Sequence, residues 1–137
     1  MIELKTREID QLIRAASEAR DQAYAPHSHF YVGASLWIPG GEIVVGCNVE
    51  NASYSLSICA ERVATATAVT KGYREFHAIA IASVGGVSPC GACRQFLSEF
   101  SNDMQIIMTD VLTGARQIRR LSQLLPDAFD ASSLPVT

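Results

Sequence analysis

Two short motifs, Cys59-Ala60-Glu61 and Pro89-Cys90-Gly91-Ala92-Cys93, restrict this chain more than any other feature. Their three thiols and one carboxylate come from segments about thirty residues apart, so the fold has to bring distant helix or loop ends to one point. Three sulfur donors with a carboxylate beside the first suit a single zinc ion that keeps one coordination position open for water, which is a catalytic arrangement.

The rest of the composition narrows the class. With 137 residues and 48% hydrophobic content, the chain is expected to form one catalytic domain spanning residues 1–137 around a single core. A net charge of −3 leaves no basic excess to neutralise a phosphate backbone, so nucleic acid is not an expected partner. The segment Met1-Ile2-Glu3-Leu4-Lys5 lacks an apolar signal core, and no apolar run reaches the ~20 residues that span a bilayer. A cytoplasmic protein without membrane contact is the expectation. In that compartment Cys-x-x-Cys favours metal or redox chemistry over structural disulfides.

Hydrophobic periodicity predicts alternating helices and strands without a linker. Ile9, Leu12, Ile13, Ala16 and Ala19 mark a helix from about Thr6 to Ala23, stopped by Tyr24-Ala25-Pro26. Val32–Ile38 and Ile43–Asn48 read as antiparallel strands joined by Pro39-Gly40-Gly41-Glu42. An Ala-rich helix from Cys59 to Lys71 ends at Gly72, and Ala78–Ala82 reads as a central strand covered on both faces. Pro89 is expected to open a helix running to about Phe100. Gln105–Thr109 and Ala115–Arg119 are two further strands, followed by a short helix ending at Pro126. The predicted fold is a three-layer α/β/α sandwich around a mixed five-stranded sheet.

Placing cysteines at helix starts makes them usable as ligands, since unpaired N–H groups and the helix dipole favour thiolate there. Three thiolates on Zn²⁺ leave a net negative centre that calls for an offsetting cation. Arg62 and Arg94 are both candidates, and Arg62 is preferred because it lies in the first turn of the helix that supplies Cys59. Glu61, two residues after a ligand, suits a proton shuttle whose pKa is raised by a dry pocket and neighbouring thiolates.

Further stretches carry a resemblance over nearly the whole chain. They are Phe30-Tyr31-Val32-Gly33-Ala34, Gly46-Cys47-Asn48-Val49-Glu50-Asn51-Ala52-Ser53-Tyr54, Ile58-Cys59-Ala60-Glu61-Arg62 and Ser88-Pro89-Cys90-Gly91-Ala92-Cys93-Arg94-Gln95. With Leu124-Leu125-Pro126-Asp127-Ala128-Phe129, they make the chain resemble the small, three-cysteine, homotetrameric class of cytidine deaminases. The resemblance implies one Zn²⁺ per chain on Cys59, Cys90 and Cys93. It implies that Asn48 and Glu50 hold the ribose hydroxyls, that Phe30 packs on the nucleoside, and that the main chain at Ala60 reads the base. Phe129 would reach into a neighbouring subunit's pocket, so that the homotetramer shares its active sites. His27 departs from the tyrosine common in the family, and the Ser83–Ser88 loop is shorter than in many members.

The implied reaction is hydrolytic deamination of free cytidine and 2′-deoxycytidine to uridine and 2′-deoxyuridine with release of ammonia, a step of pyrimidine salvage. Asn48 and Glu50 share alternation parity at a strand end, which would let both reach one sugar, and the Glu50 carboxylate favours a nucleoside over a nucleotide. A modified cytosine nucleoside or a cytosine-containing antibiotic is the alternative substrate. Two readings from other classes stand beside the enzyme: a closed structural site with Cys47 as fourth ligand, and a dithiol redox pair at Cys90 and Cys93.

Overall fold

The computed structural model describes residues 3–101 and 103–135, so Met1 and Ile2 of the N-terminal reading lie outside the described residues. Helix α1 spans Thr6–Arg20, and strands β1 (Gly33–Trp37) and β2 (Ile43–Cys47) form the hairpin. Helix α2 (Ala60–Thr70) and strand β3 (Ala78–Ser83) follow, then α3 (Gly91–Ser98), β4 (Gln105–Asp110), β5 (Arg116–Arg120) and the short α4 (Leu121–Leu124). The five strands form one sheet in the order β2-β1-β3-β4-β5, with β3 and β4 parallel and the other neighbouring pairs antiparallel. That is the predicted mixed sheet. The crossover between the parallel pair contains α3 and therefore carries Cys90 and Cys93 to one end of β3.

The alternation along β3 shows how the layers are built. Ala78, Ala80 and Ala82 face α1 and pack with Leu12, Ala16 and Ile107, while Ile79 and Ile81 join the opposite core with Leu36, Ala64, Leu97 and Ile106. Small side chains on the first face let α1 lie close to the sheet. At Gly33 on β1 an added Cβ would fall 1.9 Å from the Ala16 carbonyl oxygen, so only glycine permits this spacing. Ser35 on the same face is fully buried, and its hydroxyl donates to the Leu12 carbonyl at 2.6 Å. On the other face Gly46 of β2 does for α2 what Gly33 does for α1: a Cβ there would sit 2.4 Å from Ala64 N and 2.8 Å from Ala60 O.

Element ends differ from the expected ones in informative places. Helix α1 stops at Arg20, three residues before Ala23, and the chain turns there through Ala23 N–H donating to Arg20 O. Helix α2 begins after Cys59, which is its N-cap, and it ends in a Schellman motif in which Tyr73 N–H donates to Ala68 O and Gly72 N–H to Val69 O. Pro89 does not open α3: the helix starts at Gly91 with Cys90 as N-cap and finishes at Ser98, short of Phe100. The proline carbonyl instead accepts a hydrogen bond from Arg94 Nε at 2.8 Å, which fixes Pro89 just outside the helix. Strand β4 runs one residue further than expected, β5 lies one residue later at both ends, and α4 ends two residues before Pro126. Among the described residues no helix is long and apolar enough to cross a membrane.

Candidate active site

Both helix starts that carry cysteine face the same end of β3. The sulfurs of Cys59, Cys90 and Cys93 all lie within 4.8 Å of one another, and the two cap sulfurs, Cys59 and Cys90, are 3.9 Å apart. Cys47 is not in that group; it lies at the end of β2, and burial pushes its thiol up. The donor set is thus three thiols around one point, which fits a zinc ion with a position left for water and does not fit a closed four-sulfur site.

The electrostatics follow from shared protons. The Cys59 thiol is drawn down to about 5, first because Cys93 donates to it, against the opposing effect of burial, and further through Arg62. Cys93 is pushed strongly upward by that same sharing and by burial. The two opposite shifts arise from the same contact between the sulfurs, and a divalent cation bound there would compete with protons for these thiols. Arg62 Nη2 donates to the Cys59 sulfur at 3.8 Å. Its Nε is buried and has no hydrogen-bond partner among the described residues. Arg94, the other cation considered, turns away from the sulfurs: its three nitrogens donate to Pro89 O, Leu124 O and Ser88 Oγ at 2.7–2.9 Å.

Glu61 is 4% exposed, in the first turn of α2. Burial pushes its carboxyl up to about 7, and the Cys59 thiolate adds to the rise. It lines a cavity of about 190 Å³ together with Cys59, Cys90, Phe30, Asn48 and Ser88. Val32, Ile81 and Val87 complete an apolar wall that motif reading had not singled out, since isolated aliphatic residues carry no pattern of their own. Ala60, fully buried, is the first residue of α2, where main-chain N–H groups have no partner within the helix.

The remaining sequence-derived residues fall into two groups. Asn48 is at the cavity, and its amide is already engaged: Oδ1 accepts from Val32 N–H at 2.9 Å and Nδ2 donates to Phe30 O at 2.8 Å. Glu50 lines a separate hollow of about 320 Å³ with His27, Ser28, Tyr54 and Ser57. Its carboxylate accepts from His27 N–H, Ser28 N–H and the Ser28 hydroxyl, and these bonds, led by the hydroxyl, hold it below the usual carboxylate range. Phe129 is 56% exposed and does not line the cavity over the cysteines; its carbonyl accepts from Gln95 Nε2 at 2.9 Å.

Comparison with known proteins agrees with this geometry. Residues 6–109 match the family described as "Cytidine and deoxycytidylate deaminase zinc-binding region". A cytidine deaminase of Sporosarcina psychrophila is 43% identical over 129 residues, covering 93% of this chain and 95% of that protein. One from Halalkalibacterium halodurans is 42% identical over 90% of this chain and 95% of its own length. The crystal structure of cytidine deaminase from Burkholderia pseudomallei superposes with a TM-score of 0.85 at 44% identity, covering 92% of this chain and all of that one. The fold, the convergent thiols and the matches lead to one conclusion: this chain belongs to the zinc-binding cytidine and deoxycytidylate deaminase family, and its three cysteines fit one Zn²⁺.

Proposed function

We propose that this enzyme deaminates free cytidine and 2′-deoxycytidine hydrolytically, giving the uridine products and ammonia. The observation that carries the reading is a buried carboxyl, Glu61, poised near neutrality beside three convergent thiols in a cavity that also contains Phe30 and Asn48. Cys59, Cys90 and Cys93 would hold a zinc ion, which when bound would supply the Lewis acidity that makes a water nucleophilic at neutral pH. Glu61 takes a proton from the attacking water, passes it to N3 of the base, and later delivers a proton to the departing amine. Its raised pKa suits both directions of transfer. Arg62 is assigned to offset the negative charge of the sulfurs, and the main chain at Ala60 is assigned to the base.

Asn48, Glu50 and Phe30 are assigned to the nucleoside. Glu50 favours an uncharged sugar over a phosphate. The exposure of Phe129, joined to α3 through Gln95, supports a residue available to a neighbouring subunit's cavity in a homotetramer. The whole chain of 137 residues is assigned to one catalytic domain, working in the cytoplasm on nucleoside salvage.

Ultraviolet-monitored turnover of cytidine and deoxycytidine, with zinc quantified on the same sample, tests the reading. Loss of the cytidine band with one zinc per chain is the expected result. Full zinc loading without turnover of either nucleoside would overturn the substrate assignment and direct the search to modified cytosine nucleosides.

A further inference from the structure

The segment 24–30 is laced to the end of β2 and the residues after it. Tyr24 N–H donates to Asn48 O at 3.0 Å, and Glu50 N–H donates to Tyr24 O at 2.8 Å. Within this segment His29 has a left-handed backbone, φ 56°, an uncommon conformation for a residue with a side chain. The turn it makes is held on one side by His29 N–H donating to Ala25 O at 2.9 Å. Past the turn, Phe30 is gripped at both ends of its main chain. Its carbonyl accepts from Asn48 Nδ2, and its N–H donates to Ser28 Oγ at 3.0 Å.

Among the described residues, Ser28 is the side chain that bonds both halves of this arrangement. Its hydroxyl oxygen accepts from Phe30 N–H, and its proton is donated to Glu50 Oε2. Glu50 Oε1 receives the main-chain N–H groups of His27 and Ser28 at 2.9 and 3.1 Å. A single hydroxyl therefore bonds both a carboxylate in one hollow and the main chain of an aromatic residue that walls the other. We propose that Ser28 is a positioning residue for nucleoside binding, acting through Glu50 and Phe30; the inference rests on the roles proposed for those two residues above.

Ser28 does not itself line the cavity that contains Glu61, so removing its hydroxyl should weaken binding and leave the proton transfers of Glu61 intact. Losing a hydrogen bond to a charged group predicts that Ser28→Ala raises KM for cytidine about tenfold with kcat within about twofold. Ser28→Thr, which keeps the hydroxyl, should restore the wild-type KM. The decisive comparison is a double-mutant cycle with Glu50→Gln, read both in KM and in the calorimetric Kd for cytidine. If Ser28 works through Glu50, Ser28→Ala in the Glu50→Gln background adds less than about twofold. Additive losses in the two backgrounds, a fall confined to kcat, or a failure of Ser28→Thr to rescue would each overturn the role of Ser28 alone. A wild-type chain that neither binds nor turns over cytidine would overturn the deaminase reading and the role of Ser28 with it.

Discussion

Helices α2 and α3 begin with the same residue type in the same place and use the next turn differently. Each has a cysteine at the N-cap, Cys59 for α2 and Cys90 for α3. Three residues on, where a side chain on the first turn can fold back toward its own cap, α2 has Arg62 and α3 has Cys93. In α2 that geometry brings a guanidinium to the cap sulfur. In α3 it brings a second sulfur into the cluster. One local spacing thus yields a ligand with its counter-charge on one helix and a pair of ligands on the other. In the proposed mechanism Glu61, which stands between cap and arginine on α2, makes that start the chemically active one, and the start of α3 is the holder.

The comparison breaks most sharply at α2. Glu61→Gln should lower turnover by about 10²–10⁴-fold while zinc analysis still finds the metal, because the ligands are untouched. Near-normal turnover in this variant would remove the proton shuttle from the account. Cys59→Ala and Cys93→Ala, one from each helix, should both lose zinc together with activity; retention of metal in either would mean that the two starts do not share a site. Arg62→Ala should cost about 10–100-fold in zinc affinity or activity, measured by competition with a chelator and by initial rates. A smaller effect separates the two arginines. Arg94→Ala leaves the acceptors at Pro89, Leu124 and Ser88 without their donor, so it should lower stability by about 1–3 kcal/mol in denaturant titration with zinc still bound. Smallest of all, Cys47→Ser should leave zinc content unchanged, since its sulfur is outside the cluster.

Ligand chemistry is legible in sequence because it is local: cysteines at helix starts with a glutamate two positions along need no tertiary information to be noticed. The central strand was legible for a similar reason, since Ala78-Ile79-Ala80-Ile81-Ala82 is small and apolar throughout, as a strand covered on both faces requires. Sequence position favoured Arg62 over Arg94 but did not show where either side chain turns. Arg62 and Arg94 each follow a motif residue, yet Arg62 turns to a sulfur and Arg94 turns to carbonyls of a loop and of α4. The choice depends on Leu124 O being there to receive Arg94, a contact across thirty residues. Pro89 misled for a related reason. Its ring suits the first turn of a helix, but Arg94 ties down its carbonyl and the cap falls to Cys90. Strand parity was invoked for Asn48 and Glu50, but β2 ends at Cys47, so both lie just beyond the strand whose alternation was used.

Gly46 touches none of the reacting groups, yet it governs where they sit. The main chain of α2 at Ala60 and Ala64 occupies the space a Cβ at residue 46 would need. Cys59 and Glu61 are carried by that same stretch of helix, so a side chain at 46 would lift sulfur and carboxylate together, as one rigid lever pivoting on the sheet. Cys90 and Cys93, mounted on a different helix, would stay behind. The triangle of sulfurs is therefore calibrated by a missing carbon atom in β2, and the tolerance of this centre to change is set in the scaffold beneath it as much as in the motifs that name it.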